Sequence, residues 1–229
     1  MKTGLRFRLV GAALCAGIFP LLWAVSGQGA EPGDPGAASE QVRLTSEKIR
    51  GILEDPALRG ADHAGARLGK IREALDERFD WPRISRWVLA RNMRKFNDEQ
   101  FKEFTDLFSR YVVLYYMVKV EDFISKDDKE EDFDGEVDIT YGEGNKRRDG
   151  SVMVAVTFTI PGGKEINTAY TLVDEDGDGD WKVRNFVVEG VSLVSNWRTE
   201  LSYLGGRKKI LSVMRKKVEG LEKKQPGGE

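Results

Sequence analysis

Apolar positions along the chain follow two rhythms, a period near 3.6 residues in the first half and a period of 2 beyond about Asp132. In the first half, Val42, Ser46, Ile49 and Leu53 line up from about Glu40 until Asp55-Pro56 stops the helix. Ala64, Leu68, Ile71, Leu75 and Phe79 recur at spacings of four, three, four and four, predicting a second helix over roughly His63 to Phe79. Asp80-Trp81-Pro82 reads as a cap with proline in the first turn of a third helix through Ile84, Trp87, Val88 and Arg91. Asn97 and Gln100 form a loose capping box for a fourth, with a stripe of Phe101, Phe104, Phe108, Tyr111, Tyr115 and Val118. Past Arg110 this helix reads Y-V-V-L-Y-Y-M-V, apolar on every side, so its second half is buried all round or lines a cavity.

In the second half, Val137, Ile139 and Tyr141 alternate with polar residues. Val152, Val154, Val156, Phe158 and Ile160 do the same, as do Ile166, Thr168, Tyr170 and Leu172. Trp181 and Val183 on one parity and Phe186 and Val188 on the other predict a central strand covered on both faces, with a bulge at Gly190. Ser195 or Asn196 then caps a helix that carries Trp197, Leu201 and Leu204, breaks at Gly205-Gly206, and resumes through Ile210, Leu211, Met214, Val218 and Leu221. The strand connections are turn-like and too short for helical crossovers. The expected class is therefore α+β: a four-stranded antiparallel curved sheet packed by helices.

Residues 1–30 read as a secretory signal peptide, with Lys2, Arg6 and Arg8, then an apolar run from Leu9 to Val25, then small residues. Cys15, the only cysteine, follows Leu14 where a lipoprotein signal needs a small residue, so no lipid anchor is expected. Cleavage takes away three of the 36 basic residues and none of the 38 acidic ones, moving the net charge from -2 to -5. The mature chain then has no thiol for disulfides, zinc-thiolate sites or cysteine catalysis. Its acidic balance also argues against a nucleic-acid partner. The expected organisation is a disordered leader at 31–39, one domain at 40–222 and a disordered tail at 223–229.

Candidate chemistry is sparse. Asp174, Asp176, Asp178, Gly179 and Asp180 resemble the start of a calcium loop, but Asn185 stands where a bidentate glutamate belongs, and an acidic hairpin turn is the simpler reading. His63 is the sole histidine, and neither a G-x-S-x-G elbow nor a phosphate loop is present. No catalytic, metal-ligating or cofactor-binding residue is assigned. Arg207, Lys208, Lys209, Arg215, Lys216 and Lys217 give the last helix a basic face that suits solvent, anionic lipid or an acidic partner. Taken alone, these patterns leave open a filled-core structural protein of the envelope, a small-molecule enzyme on such a roll, and a carrier with an apolar cavity.

Two motifs carry a resemblance. V-V-E-G-V-S-L-V-S-N-W-R, from Val187 to Arg198, and R-F-D-W-P-R-I-S-R-W-V-L-A-R, from Arg78 to Arg91 and extending to Arg94, lie in the order and spacing of the MlaC family, also called toluene-tolerance auxiliary proteins. The resemblance spans roughly Val42 to Val218. It departs at Trp197, where the family has tyrosine, at Ala90, where it has glycine, and at Asn92-Met93, which replace an aromatic pair. It implies a nuclear-transport-factor-like or cystatin-like roll with extra N-terminal helices enclosing an apolar cavity. The function it implies is that of a monomeric, non-enzymatic periplasmic carrier that moves phospholipid between the two membranes and maintains outer-membrane lipid asymmetry. The implied partners are an inner-membrane ABC transporter with a ring of mammalian-cell-entry domains and an outer-membrane lipoprotein-porin complex, with no cofactor beyond the bound lipid. The residues expected to contact lipid are Phe104, Phe108, Val112, Tyr115, Val154, Val156, Phe158, Tyr170, Leu172, Phe186, Val188, Val191, Leu193, Asn196, Trp197 and Arg198.

Overall fold

The computed structural model describes residues 33–58, 60–125, 138–159 and 163–224. The signal segment with Cys15, Val137, Ile160 and residues 225–229 lie outside the described residues.

Helix α1 (Pro35–Glu54) starts earlier than the sequence pattern predicts, because Asp34 caps it, accepting from the Gly36 amide at 2.9 Å, and Pro35 occupies its first turn. The stretch expected as a leader is thus helical from Pro35, and Ala38 and Val42 are buried in the core. The N-terminus of α1 presses on the loop after the first strand so closely that a Cβ on Gly144 would lie 2.3 Å from the Pro35 carbonyl oxygen. Helix α2 (Ala64–Asp76) buries Ala64, Ile71 and Ala74, and stops short of Phe79. Phe79 instead makes a parallel bridge to Val183, with Asp80 donating to the Val183 carbonyl at 3.0 Å and Val183 donating to that of Arg78 at 2.7 Å. Helix α3 (Trp81–Leu89) is capped by Asp80, which accepts from the Arg83 amide at 3.0 Å. Helix α4 (Asp98–Ser125) opens with the reciprocal Asn97/Gln100 box, its two bonds 2.9 and 3.2 Å long.

The sheet consists of β1 (Asp138–Tyr141), β2 (Asn145–Lys146), β3 (Val152–Thr159), β4 (Glu165–Val173), β5 (Lys182–Val188) and β6 (Val191–Ser192), antiparallel in the order β1-β3-β4-β5-β6 with β2 beside the start of β3. The four predicted strands are present, and the two-residue strands β2 and β6 are additional. Helices α5 (Leu193–Ser202) and α6 (Arg207–Glu222) follow, separated at Gly205-Gly206. Ion pairs Glu103–Arg215 and Arg110–Glu222 show that α6 runs parallel to α4.

Two details of β5 differ from the sequence reading. The strand is not central, since its outer neighbour is only the short β6. Its apparent two-sided apolar pattern comes from a bulge. Thr171 pairs with Asn185 while Leu172 pairs with Val183, so Arg184 is an extra residue and Val183 and Phe186 share the inner face despite opposite parity. At Gly190 the chain turns back instead of bulging. Glu189 and Gly190 both have positive φ, 47° and 77°, as a two-residue type I′ hairpin requires, and Val188 pairs with Val191. Ser192, not Ser195 or Asn196, then caps α5, accepting from the Ser195 amide at 3.3 Å.

Candidate functional site

The inner face of the sheet is formed by the alternating apolar residues of β1, β3, β4 and β5, and helices cover its two ends unequally. At the end beside α3, Val152, Val154, Val156, Leu172 and Val183 are at most 4% exposed and share one core with Phe104, Phe108 and Val112 of α4. At the other end Phe158, Tyr170, Val188, Ile139 and Tyr141 are only half-buried, as are Tyr111, Tyr115, Tyr116 and Met117 of α4. α6 ends at Glu222 opposite Arg110, so α4 continues past its cover. Among the described residues the result is an apolar cleft, solid at its floor and only partly covered at one end.

Aromatic rings run from the floor to that opening in a continuous series. Phe108 and Tyr111 meet Trp197 at centroid distances of 5.6 and 4.8 Å. Tyr111 stacks on Tyr115 at 5.7 Å, Tyr115 meets Tyr116 at 5.3 Å, Tyr116 meets Phe186 at 5.1 Å, and Phe186 stacks on Tyr170 at 6.3 Å. Burial, reinforced by neighbouring tyrosines, pushes the Tyr111 and Tyr116 hydroxyls up to about 12. Burial also raises that of Tyr170, against the opposing effect of a hydrogen bond with Thr168. The opening is therefore lined by neutral hydroxyls on apolar rings.

Of the residues expected to contact lipid, Phe104, Phe108, Val112, Val154, Val156, Leu172 and Phe186 form the floor, and Tyr115, Phe158, Tyr170 and Val188 the half-open end. Leu193 and Trp197 are buried residues of α5. Three others stand apart. Val191 is 57% exposed on the β5–β6 hairpin, and Asn196 and Arg198 are exposed on α5, where the Arg198 Nε donates to the Trp87 carbonyl at 2.9 Å and ties α5 to α3. Tyr111, Tyr116, Met117, Ile139 and Tyr141 join the cleft without having been predicted there. The all-round apolar run of α4 and the alternation of β1 were the signals that pointed to them.

Three carboxylates of the acidic loop have structural partners. Asp174 accepts from the Gly177 and Gly179 amides at 2.9 and 3.2 Å, Asp178 accepts from the Asp180 amide at 2.9 Å, and Asp180 pairs with Arg78 and Lys182 at 3.1 and 2.9 Å. The acidic loop is a hairpin turn that uses its carboxylates on its own backbone and on adjacent cations. Two shallow clefts of about 370 and 330 Å³ flank α3, and Asp80, Arg83, Arg86, Arg72 and Asp76 among their walls make them unsuited to an acyl chain.

A family model for the MlaC protein matches residues 43–216, about three quarters of the chain. The chain belongs to the MlaC family. No curated protein matches it. Among solved structures, a phospholipid-binding protein from Ralstonia solanacearum, determined with a bound phospholipid at 1.53 Å, superposes with a TM-score of 0.64. It is 18% identical, and the match covers 80% of this chain and 98% of the other. In this MlaC protein the closing motif builds the edge of the open end. Glu189 donates its amide to the Asn167 carbonyl at 2.9 Å and accepts from the Asn167 amide with its carboxylate, extending the β4–β5 ladder past Val188. The upstream motif supplies the Asp80 cap and the floor residues Phe79, Trp81, Ile84 and Val88.

Proposed function

We propose that this MlaC protein is a periplasmic phospholipid carrier, the soluble component of an ABC transport system that moves lipid between the outer and inner membranes. The observation that carries the reading is the aromatic inner face left half-open between α4 and the sheet, where acyl chains meet ring surface on one side and strand side chains on the other. Family membership and the likeness to a phospholipid-binding protein support it. In energy terms, each methylene taken from water contributes about 0.8 kcal/mol, so two chains of about sixteen carbons give roughly 25 kcal/mol of gross burial. A bilayer offers the same transfer term, so release needs no covalent chemistry, only an acceptor with a comparable apolar environment. No nucleotide-binding loop occurs in the sequence, and direction must come from partners. The partners in this reading are a transporter bearing a mammalian-cell-entry ring and an outer-membrane lipoprotein-porin complex.

The test is Phe158→Asp. Phe158 is half-buried at the opening, so a carboxylate there reaches water and the fold survives, while an acyl chain loses its wall. The expected result is a folded protein that takes up phospholipid from vesicles at least tenfold less than wild type. Undiminished uptake by the folded variant contradicts the site.

A further inference from the structure

Five of the six tyrosines of the chain gather at the open end of the cleft: Tyr111, Tyr115 and Tyr116 on α4, Tyr141 on β1 and Tyr170 on β4. Their rings supply apolar wall, as any large side chain could. Their hydroxyls are what needs explaining, because tyrosine in an apolar wall normally finds a partner for its O–H. The Tyr170 hydroxyl has one in Thr168. The Tyr141 hydroxyl is buried and has no hydrogen-bond partner among the described residues. Tyr141 pairs with Val156 in the β1–β3 ladder and packs on the core, with its phenol close enough to Tyr170 to act on it electrostatically. A buried hydroxyl left unpaired is costly, and the cost disappears when a ligand brings an acceptor.

The chemistry of that acceptor follows from its surroundings. The inward-facing residues of the strands at this end, Ile139, Tyr141, Phe158, Ile166, Thr168, Tyr170, Phe186 and Val188, include no charged side chain. The cation Lys217, which lies 5.5 Å from the centre of the Tyr111 ring and 5.1 Å from that of Trp197, is paired with Glu200 at 3.0 Å. A phosphate drawn inward to Tyr141 would lose hydration with no compensating cation among the described residues that face it, so the anion stays at the solvent edge. A neutral carbonyl has no such penalty and matches a neutral O–H donor. In a lipid whose tails fill the cleft, the neutral acceptors just below the headgroup are the ester carbonyls.

We propose that the tyrosine collar is the subsite for the ester linkages of a diacyl glycerophospholipid, with the Tyr141 hydroxyl donating to an ester carbonyl oxygen. The proposal rests on the carrier reading and adds to it a selectivity for linkage chemistry over headgroup charge. The Tyr116–Phe186 contact holds the collar's α4 side against the sheet, so the donor is presented at a fixed depth below the headgroup.

The experiment is a competition between two phosphatidylglycerols of identical chain length, one ester-linked and one ether-linked, offered to the protein in equimolar mixed vesicles. The bound lipid is extracted and quantified by mass spectrometry. The expected result is about a five- to tenfold excess of diester over diether on the wild type, the worth of one hydrogen bond to a buried donor, falling to near parity on Tyr141→Phe. Equal binding of the two lipids by wild type overturns the collar assignment and leaves the carrier reading standing, as does an unchanged ratio on folded Tyr141→Phe. Failure of folded wild type to take up either lipid overturns the carrier reading and the collar together. The wild-type ratio decides the matter even if the variant does not fold.

Discussion

Ala90 holds φ 47° and ψ -123° at the end of α3, a conformation in which a Cβ crowds the adjoining peptide and which glycine adopts freely. The MlaC pattern has glycine here, and the alanine of this chain carries the strain. Ala90→Gly should therefore raise stability by about 1 kcal/mol, read as a higher denaturant midpoint at constant m-value. A lower midpoint would show that the strain is absent. The wall of the cleft gives a second contrast at this scale. Leu172 is 1% exposed on the solid floor, whereas Phe158 lies at the opening. Leu172→Asp should leave no folded protein to assay, because its carboxylate has neither water nor a partner, while Phe158→Asp folds and fails to hold lipid. Circular dichroism and vesicle uptake on both variants check the contrast, and a folded Leu172→Asp protein would mean that the floor is wetter than described.

Among the elements, the start of α3 and the β4–β5 hairpin are joined by a charge network centred on Arg184, the bulged residue of β5. Arg184 is 7% exposed and pairs with Glu175, and Arg83 pairs with both Glu175 and Asp80. The hydrogen bond from Arg184, opposed by desolvation and helped by the nearby arginines, holds the Glu175 carboxyl below its usual value of 4.5. A carboxylate depressed in the folded state contributes stability that is present above its unfolded pKa and is lost as pH falls through the folded one. Glu175→Gln should thus be less stable than wild type at pH 7, with the gap closing below about pH 4.5 as wild-type Glu175 protonates. Thermal midpoints across pH 3 to 7 test this, and a gap that does not change with pH contradicts it.

How much of this could be read from the sequence also divides by element. The helix stripes, the Asp80 cap, the Asn97/Gln100 box and the four long strands were legible because each is a local pattern. The bulge at Arg184 was not, because an inserted residue and a two-sided strand give the same string of apolar positions. The Glu189-Gly190 hairpin was hidden because glutamate is an unusual first residue for a type I′ turn. The open end of the cleft was illegible for a different reason. Alternation tells which residues face inward, but not where a helix stops covering them, and that depends on α6 ending opposite Arg110 while α4 runs on.

At the scale of the whole molecule, a single hydrophobic core reaches from Ala38 in α1 to Val218 in α6, so floor and opening belong to one cooperative unit. The charge networks lie outside that core, and the inward-facing strand residues at its open end are uncharged. Whether the cleft carries phospholipid is decided by native mass spectrometry. The measurement uses mature protein purified from a bacterial periplasm without detergent, followed by organic extraction. A lipid carrier gives a near-stoichiometric mass increment that extracts as phospholipid. A clean apo mass with no uptake from phospholipid vesicles would contradict it and leave a filled-core structural protein on the MlaC fold.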